Sequence, residues 1–158
     1  MSATDLAPDR QMMDWLLTGC WEFAHPREIL AGITPQEACS LVSGIPYSVA
    51  QILAHLQWWQ NERISIALGG DLSEFKPPFD DWPPVSPDDW DTLSSNFLAG
   101  FEQLLAITEN VAAMQRIIFD DLKVGRMLLS HPMHNAYHLG QIVLIRRLQG
   151  TWPPAEAD

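Results

Sequence analysis

Apolar residues recur at helical spacing along most of this chain, and this spacing limits the folds open to it more than any other feature. It predicts four long helices: from Asp9 to about Ala24, from Val49 to Gly69, from Pro87 to about Glu109, and from a start between Val124 and Ser130 to a stop at Gly150. No convincing alternating strand pattern lies between them. Because each apolar stripe has to be buried against another element, we predict an all-α fold, specifically a four-helix bundle.

Local signals define how these helices are connected. Thr34-Pro35-Gln36-Glu37 is a capping box that predicts a short helix to about Ser43, and Ser48-Val49-Ala50-Gln51 is a second capping box, before the second long helix. The segment from Asp71 to Pro87 is rich in proline and aromatic residues, which excludes a regular helix. We expect an ordered long connection between the second and third long helices. It either simply covers one end of the fold or also borders a pocket. Between Val111 and Asp121, we consider an extension of the third long helix to Met114 and a short extended piece at Ile117-Ile118-Phe119.

Composition narrows the classes of protein. At 158 residues and 47% hydrophobic, the chain has the size of one globular domain, residues 1–158. Its formal net charge of −11 opposes binding to a phosphate backbone, so we expect no nucleic-acid partner. No apolar run is long enough to span a membrane and the first residues do not resemble a signal peptide, so we expect a cytoplasmic protein. Cys20 and Cys39 are interpreted as small buried hydrophobes without a disulfide.

The fourth long helix carries an unusual concentration of histidine. Its segment Ser130–Ile142 contains three of the protein's five histidines. His134 and His138, four residues apart, lie on one face of a helix. His131 and Gln141 share that face with apolar residues, whereas Arg146 and Arg147 are expected to point away from the core. A further histidine, His55, lies at the margin of the apolar face of the second long helix and is able to point inward.

Histidines in this pattern have two explanations that the residues alone do not separate. They are either hydrogen-bonded core histidines or ligands of a metal ion. Imidazole suits zinc, nickel, copper and iron. Three histidine ligands without a fourth protein ligand would leave one coordination position open, as in catalytic sites.

Two segments resemble the DinB/YfiT-like superfamily of four-helix-bundle metalloproteins. Residues 46–60, PYSVAQILAHLQWWQ, are similar to that family's second helix, and residues 134–142, HNAYHLGQI, to its fourth. The resemblance implies a divalent metal, zinc or nickel, held by His55, His134 and His138, and a homodimer. Members with known activity include transferases and isomerases that use low-molecular-weight thiols such as mycothiol, bacillithiol or glutathione. The resemblance therefore implies such a thiol as a cosubstrate.

Further residues are candidates for the surroundings of this site. We consider four roles for His131: a fourth metal ligand, a residue that hydrogen-bonds to a ligand, a general base near the metal, or a helix-start residue. We favour the last because Pro132 is typical of a first helical turn. Gln141 is expected to line the pocket or hold water, and the predicted pocket wall comprises Trp58, Trp59 and Trp82. His25 is expected in a loop.

Two kinds of function follow from this pattern. The leading hypothesis is a metal-dependent enzyme that activates a thiol or water for attack on a small-molecule electrophile, as a thiol transferase, an isomerase or a hydrolase. The alternative is a non-enzymatic stress or sensor module that binds a metal or a small ligand. A dimer whose histidines are merely buried is the third possibility.

Overall fold

The structure is a computed structural model that describes residues 7–72 and 82–154, and it is mostly helical, as predicted. The described residues form seven α-helices: α1 (Arg10–Thr18), α2 (Pro26–Leu30), α3 (Pro35–Cys39), α4 (Val49–Ala67), α5 (Trp90–Thr108), α6 (Val111–Gln115) and α7 (Val124–Gln149). A short antiparallel pair of strands, β1 (Ile117–Phe119) and β2 (Leu122–Lys123), precedes α7. The all-α prediction is thus confirmed at the level of fold class.

The longer helices contact one another in a closed ring. Helix α4 packs against α5 and α7, and α1 packs against the same two helices on the other side. The core lies inside this ring, where the largest fully buried apolar side chains are Met13, Leu17, Leu53, Leu56, Phe97, Leu104, Leu128, Leu139, Ile142 and Ile145. This arrangement is compatible with the predicted four-helix bundle.

The first helix ends earlier than its apolar spacing predicts. Gly19 adopts a left-handed φ of 86° and its N–H donates to the Trp15 carbonyl, which closes α1 at Thr18 instead of about Ala24. The next residue, Cys20, also has positive φ and its side chain is exposed. The prediction that both cysteines are buried is therefore wrong for Cys20, whereas Cys39 is partly buried with its Sγ 3.4 Å from the Val85 carbonyl oxygen.

Both predicted capping boxes are present. The Thr34 hydroxyl accepts from the Glu37 N–H while the Glu37 carboxylate accepts from the Thr34 N–H, although α3 ends at Cys39 and not near Ser43. Ser48 and Gln51 make the same reciprocal bonds at the start of α4. These bonds satisfy amide groups that a helix leaves without partners at its first turn.

Helix α7 begins at Val124, so Pro132 lies inside it. Pro132 has no N–H to donate to the carbonyl four residues earlier, yet the helix continues through it. His131 therefore lies within α7 and the prediction of a helix-start residue is wrong.

Arg146 is buried, contrary to the prediction that it points away from the core. Only 1% of the residue is exposed. Its Nη1 donates to the Ile29 carbonyl at 2.7 Å and its Nη2 to the Thr151 carbonyl at 2.7 Å, so that it ties α7 to the end of α2. Burial lowers the pKa of this guanidinium, which Glu37 partly offsets. Arg147 is exposed, as expected.

One close contact holds α4 against α5. The Gln60 side chain is fully buried and donates through Nε2 to the Phe97 carbonyl at 2.9 Å. It passes directly over Gly100, where an added Cβ would lie 1.9 Å from Gln60 Nε2. Only glycine fits at this position without displacing the Gln60 amide.

Part of the long connection after α4 lies outside the described residues, at 73–81. Its last section is described, and there Trp82 is partly buried against the core. The prediction of an ordered, packed connection thus agrees with the structure at Trp82. For residues 73–81, the prediction falls outside the described part of the chain. No helix in the described part of the chain has the length and hydropathy needed to cross a membrane.

Candidate metal centre

The structure brings three of the predicted site residues together. His55 comes from α4, and His134 and His138 come from one face of α7. One ligand nitrogen from each lies within 4.8 Å of the others, and His55 Nε2 is 3.1 Å from His134 Nε2. His55 and His138 are buried and His134 is partly buried. These three imidazoles can together hold a metal ion.

The local structure explains why the side chains converge. His134 and His138 are one turn apart on α7, which places their ring centroids 4.6 Å apart. The packing of α4 against α7 brings His55 to the same place, with its ring centroid 4.7 Å from that of His138. The site therefore depends on one tertiary contact in addition to helical spacing.

The spacing of the nitrogens fits a small divalent ion. Zinc–nitrogen bonds of about 2.0–2.1 Å in tetrahedral geometry separate two ligand atoms by roughly 3.3 Å. The 3.1 Å between His55 Nε2 and His134 Nε2 is close to this value. No Asp, Glu or Cys of the described residues joins the three histidines in the group. Three neutral nitrogen ligands favour zinc, nickel, copper or iron over magnesium or calcium.

A hydrogen bond from Gln141 orients one of the three imidazoles. His138 Nδ1 lies 2.7 Å from Gln141 Oε1. A carbonyl oxygen only accepts, so Nδ1 carries the proton and Nε2 keeps its lone pair for a metal. Such partners fix the ring and raise its basicity in known metal sites. Gln141 was expected near the pocket, and the structure gives it this direct contact.

Aromatic rings hold His55 in place. Trp82 stacks on the His55 ring, with the ring centroids 4.3 Å apart and the planes 9° from parallel. Tyr47 stacks on the other face of the indole at 4.0 Å. This three-ring stack restricts rotation of the His55 imidazole. Trp82, which comes from the long connection, is thereby part of the surroundings of the histidine site.

Of the other two predicted pocket tryptophans, only Trp59 lies against the triad. Its ring packs edge-on against those of His134 and His55, with centroids 5.9 Å and 6.3 Å away. Trp58 packs against Trp59. The Arg63 guanidinium lies 5.1 Å from the centroid of Trp59.

His131 belongs to a separate polar cluster inside the helix ring. It is fully buried, with Nε2 3.4 Å from Gln60 Oε1 and 3.3 Å from Asn135 Nδ2. Burial, followed by the charges of Arg63 and His134, lowers the pKa of His131 to about 3. The imidazole is therefore neutral at physiological pH, and it is not part of the triad. Sequence reasoning missed Gln60 and Asn135, because each has polar neighbours in the sequence, Asn61 and His134, and does not interrupt an apolar run.

A cavity of about 270 Å³ adjoins the triad. His138 and Gln141 form one part of its wall and Trp82 another. Two predicted pocket residues, Trp82 and Gln141, thus line it, whereas Trp58 and Trp59 are not among the described residues of its wall. Of the three histidines, His138 is the one among the described residues of this wall, so the cavity lies beside one member of the triad.

Comparisons with known proteins found no match: no family model, no curated protein and no solved structure is similar to the chain. The candidate site is therefore argued from its own geometry.

Proposed function

We propose that the chain is a divalent-metal-binding protein of the DinB/YfiT-like, four-helix-bundle type and that it acts as an enzyme on a small molecule. The observation that supports this most directly is the convergence of His55, His134 and His138 beside a cavity. Three imidazoles with no carboxylate among the described residues suit zinc, nickel, copper or iron, and the family resemblance favours zinc or nickel.

The proposed reaction is activation of a nucleophile. A divalent metal with an open coordination position lowers the pKa of a bound thiol or water and so supplies a nucleophile near neutral pH. The chain's own residues would hold and orient the metal ligands. The bond to Gln141 selects the His138 tautomer that has a lone pair on Nε2, and stacking on Trp82 limits the rotation of His55. A low-molecular-weight thiol as cosubstrate is supported by the family resemblance, and water is the alternative nucleophile.

We also propose a homodimer. Helix α1 exposes Met12, Trp15 and Leu16. Apolar surface of this kind is often covered by a second copy.

Metal content of the untagged protein tests the first step. We expect about one equivalent of zinc or nickel per chain by elemental mass spectrometry, and binding of added zinc after chelation. His134→Ala should abolish this binding, whereas His25→Ala should preserve it because His25 caps α2 outside the triad. Metal below about one-tenth equivalent, with no uptake of added zinc or nickel, would refute the metal site.

Catalysis needs a separate test. Zinc-loaded protein should consume a thiol in the presence of an electrophile, or hydrolyse an ester or amide, and His134→Ala should not. A protein that binds metal but shows neither activity over a panel of thiols and electrophiles would instead support the non-enzymatic sensor.

A further inference from the structure

The cavity beside His138 is lined without a charged side chain among the described residues. Its wall consists of Ile45, Pro46, Tyr47, Ile52, Trp82, Tyr137, His138, Gln141, Leu144 and Ile145. Besides the tyrosine hydroxyls and the indole N–H of Trp82, the polar side chains of the described wall are those of His138 and Gln141, which are bonded to each other. In the metal-free chain, a charged ligand group would lose its hydration here and gain no opposite charge from the described wall, which disfavours its binding.

The cavity has an apolar floor and an open mouth. Ile52 and Ile145 are each 2% exposed and form the floor, whereas Tyr137 and Leu144 are more than half exposed and form the mouth. Trp82 presents the edge of its indole to the cavity, since Tyr47 and His55 stack on its two faces. An indole edge favours an aromatic ring that packs edge to face against it.

The volume limits what enters. An apolar cavity of about 150 Å³ is large enough for benzene. At about 270 Å³, this one accommodates a single ring with a short substituent. A tripeptide-sized thiol does not fit inside it, so the charged body of such a thiol would remain outside.

We propose that this cavity binds an uncharged aromatic group of the substrate, with the ring against Trp82 and a polar substituent directed toward His138. The part of the electrophile that enters the cavity is therefore an uncharged ring. Its role as substrate rests on the proposed function, but its preference for a neutral ring depends on the cavity alone.

Three probes of nearly equal shape test the charge preference: benzamide, benzoate and benzylammonium. Titration of the full, metal-free chain is followed by NMR, using the Trp82 indole N–H signal assigned with Trp82→Phe. We expect benzamide to shift this signal saturably, with a Kd at least roughly tenfold below those of both charged probes. Equal binding of a charged probe, or no saturable shift with benzamide, would overturn the proposal.

Two matched variants test the location. Leu144→Trp places a larger side chain at the cavity mouth and should weaken benzamide binding at least roughly tenfold. Leu148→Trp places the same side chain one turn further along α7, at a similarly exposed residue outside the cavity wall, and should leave binding unchanged. If benzamide still binds to Leu144→Trp with the original Kd, the cavity is not its site.

His134→Ala separates this inference from the proposed function. His134 is a member of the triad but does not line the cavity, so this variant should lose zinc and retain benzamide. A chain that never binds metal but binds benzamide as described would refute the metalloenzyme and keep the neutral-ring site. A chain that binds zinc but fails the benzamide test would refute the neutral-ring site and keep the metal site.

Discussion

Gly100→Ala should strongly destabilise the protein even though alanine is the better helix former. The added Cβ would lie 1.9 Å from Gln60 Nε2 and 2.7 Å from Gln60 Cδ, in the fully buried contact between α4 and α5. The Gln60 amide would have to move away from the Phe97 carbonyl, to which it donates at 2.9 Å. It would also move relative to His131, the neighbour of its Oε1.

The size of this effect follows from three terms. Overpacking costs about 1–3 kcal/mol, and a buried polar group left without a partner costs about 1–3 kcal/mol. The higher helix propensity of alanine offsets at most about 1 kcal/mol of these costs. We therefore expect a net loss of about 1–5 kcal/mol in the free energy of unfolding.

Urea unfolding followed by circular dichroism measures this loss, and the same measurement in the Gln60→Ala variant tests its cause. With Gln60→Ala in place the clash is gone, so Gly100→Ala should become stabilising, by about 0.5–1 kcal/mol. Gly140→Ala is the matched control, because nothing lies within 4 Å of a Cβ there, and it should stabilise by a similar amount in either background. An equal cost of Gly100→Ala in both backgrounds would refute the explanation.

Three further changes test other parts of the structure. The pKa of His131 is lowered to about 3, so below pH 6.5 the unfolded chain takes up a proton that the folded chain does not. The free energy of unfolding of the metal-free protein should fall by up to about 1.4 kcal/mol per pH unit from pH 6.5 downward, and His131→Gln should reduce this slope in urea titrations. Gln141→Leu removes the acceptor for His138 Nδ1 and should weaken zinc binding about 10–100-fold in a chelator competition assay. Gln141→Glu keeps an acceptor and should keep the zinc affinity. Equal zinc affinities of the two variants would contradict the role of that bond. Arg146→Met leaves two carbonyls without their donor and should cost about 2–4 kcal/mol in urea unfolding. The exposed neighbour gives the control, since Arg147→Met should stay within about 0.5 kcal/mol of the wild type.

The sequence by itself determined the features that are encoded within a few residues. Apolar spacing identified the long helices, and the capping boxes at Thr34 and Ser48 marked helix starts that the structure confirms. Helical spacing alone placed His134 and His138 on one face. Its place at the margin of an apolar face identified His55 as able to point inward, and the family resemblance assigned it to the triad. The packing of α4 against α7 brings that residue to the other two.

Only the tertiary structure decided which polar side chains are buried. Arg146 looked like a surface residue because the acceptors that make its burial possible, the carbonyls of Ile29 and Thr151, come from other parts of the chain. His131 looked like a helix start because Pro132 favours one, but Gln60 on α4 and Asn135 on its own helix surround it in the interior. In both cases, burial depends on partners that packing supplies, and no local pattern specifies those partners.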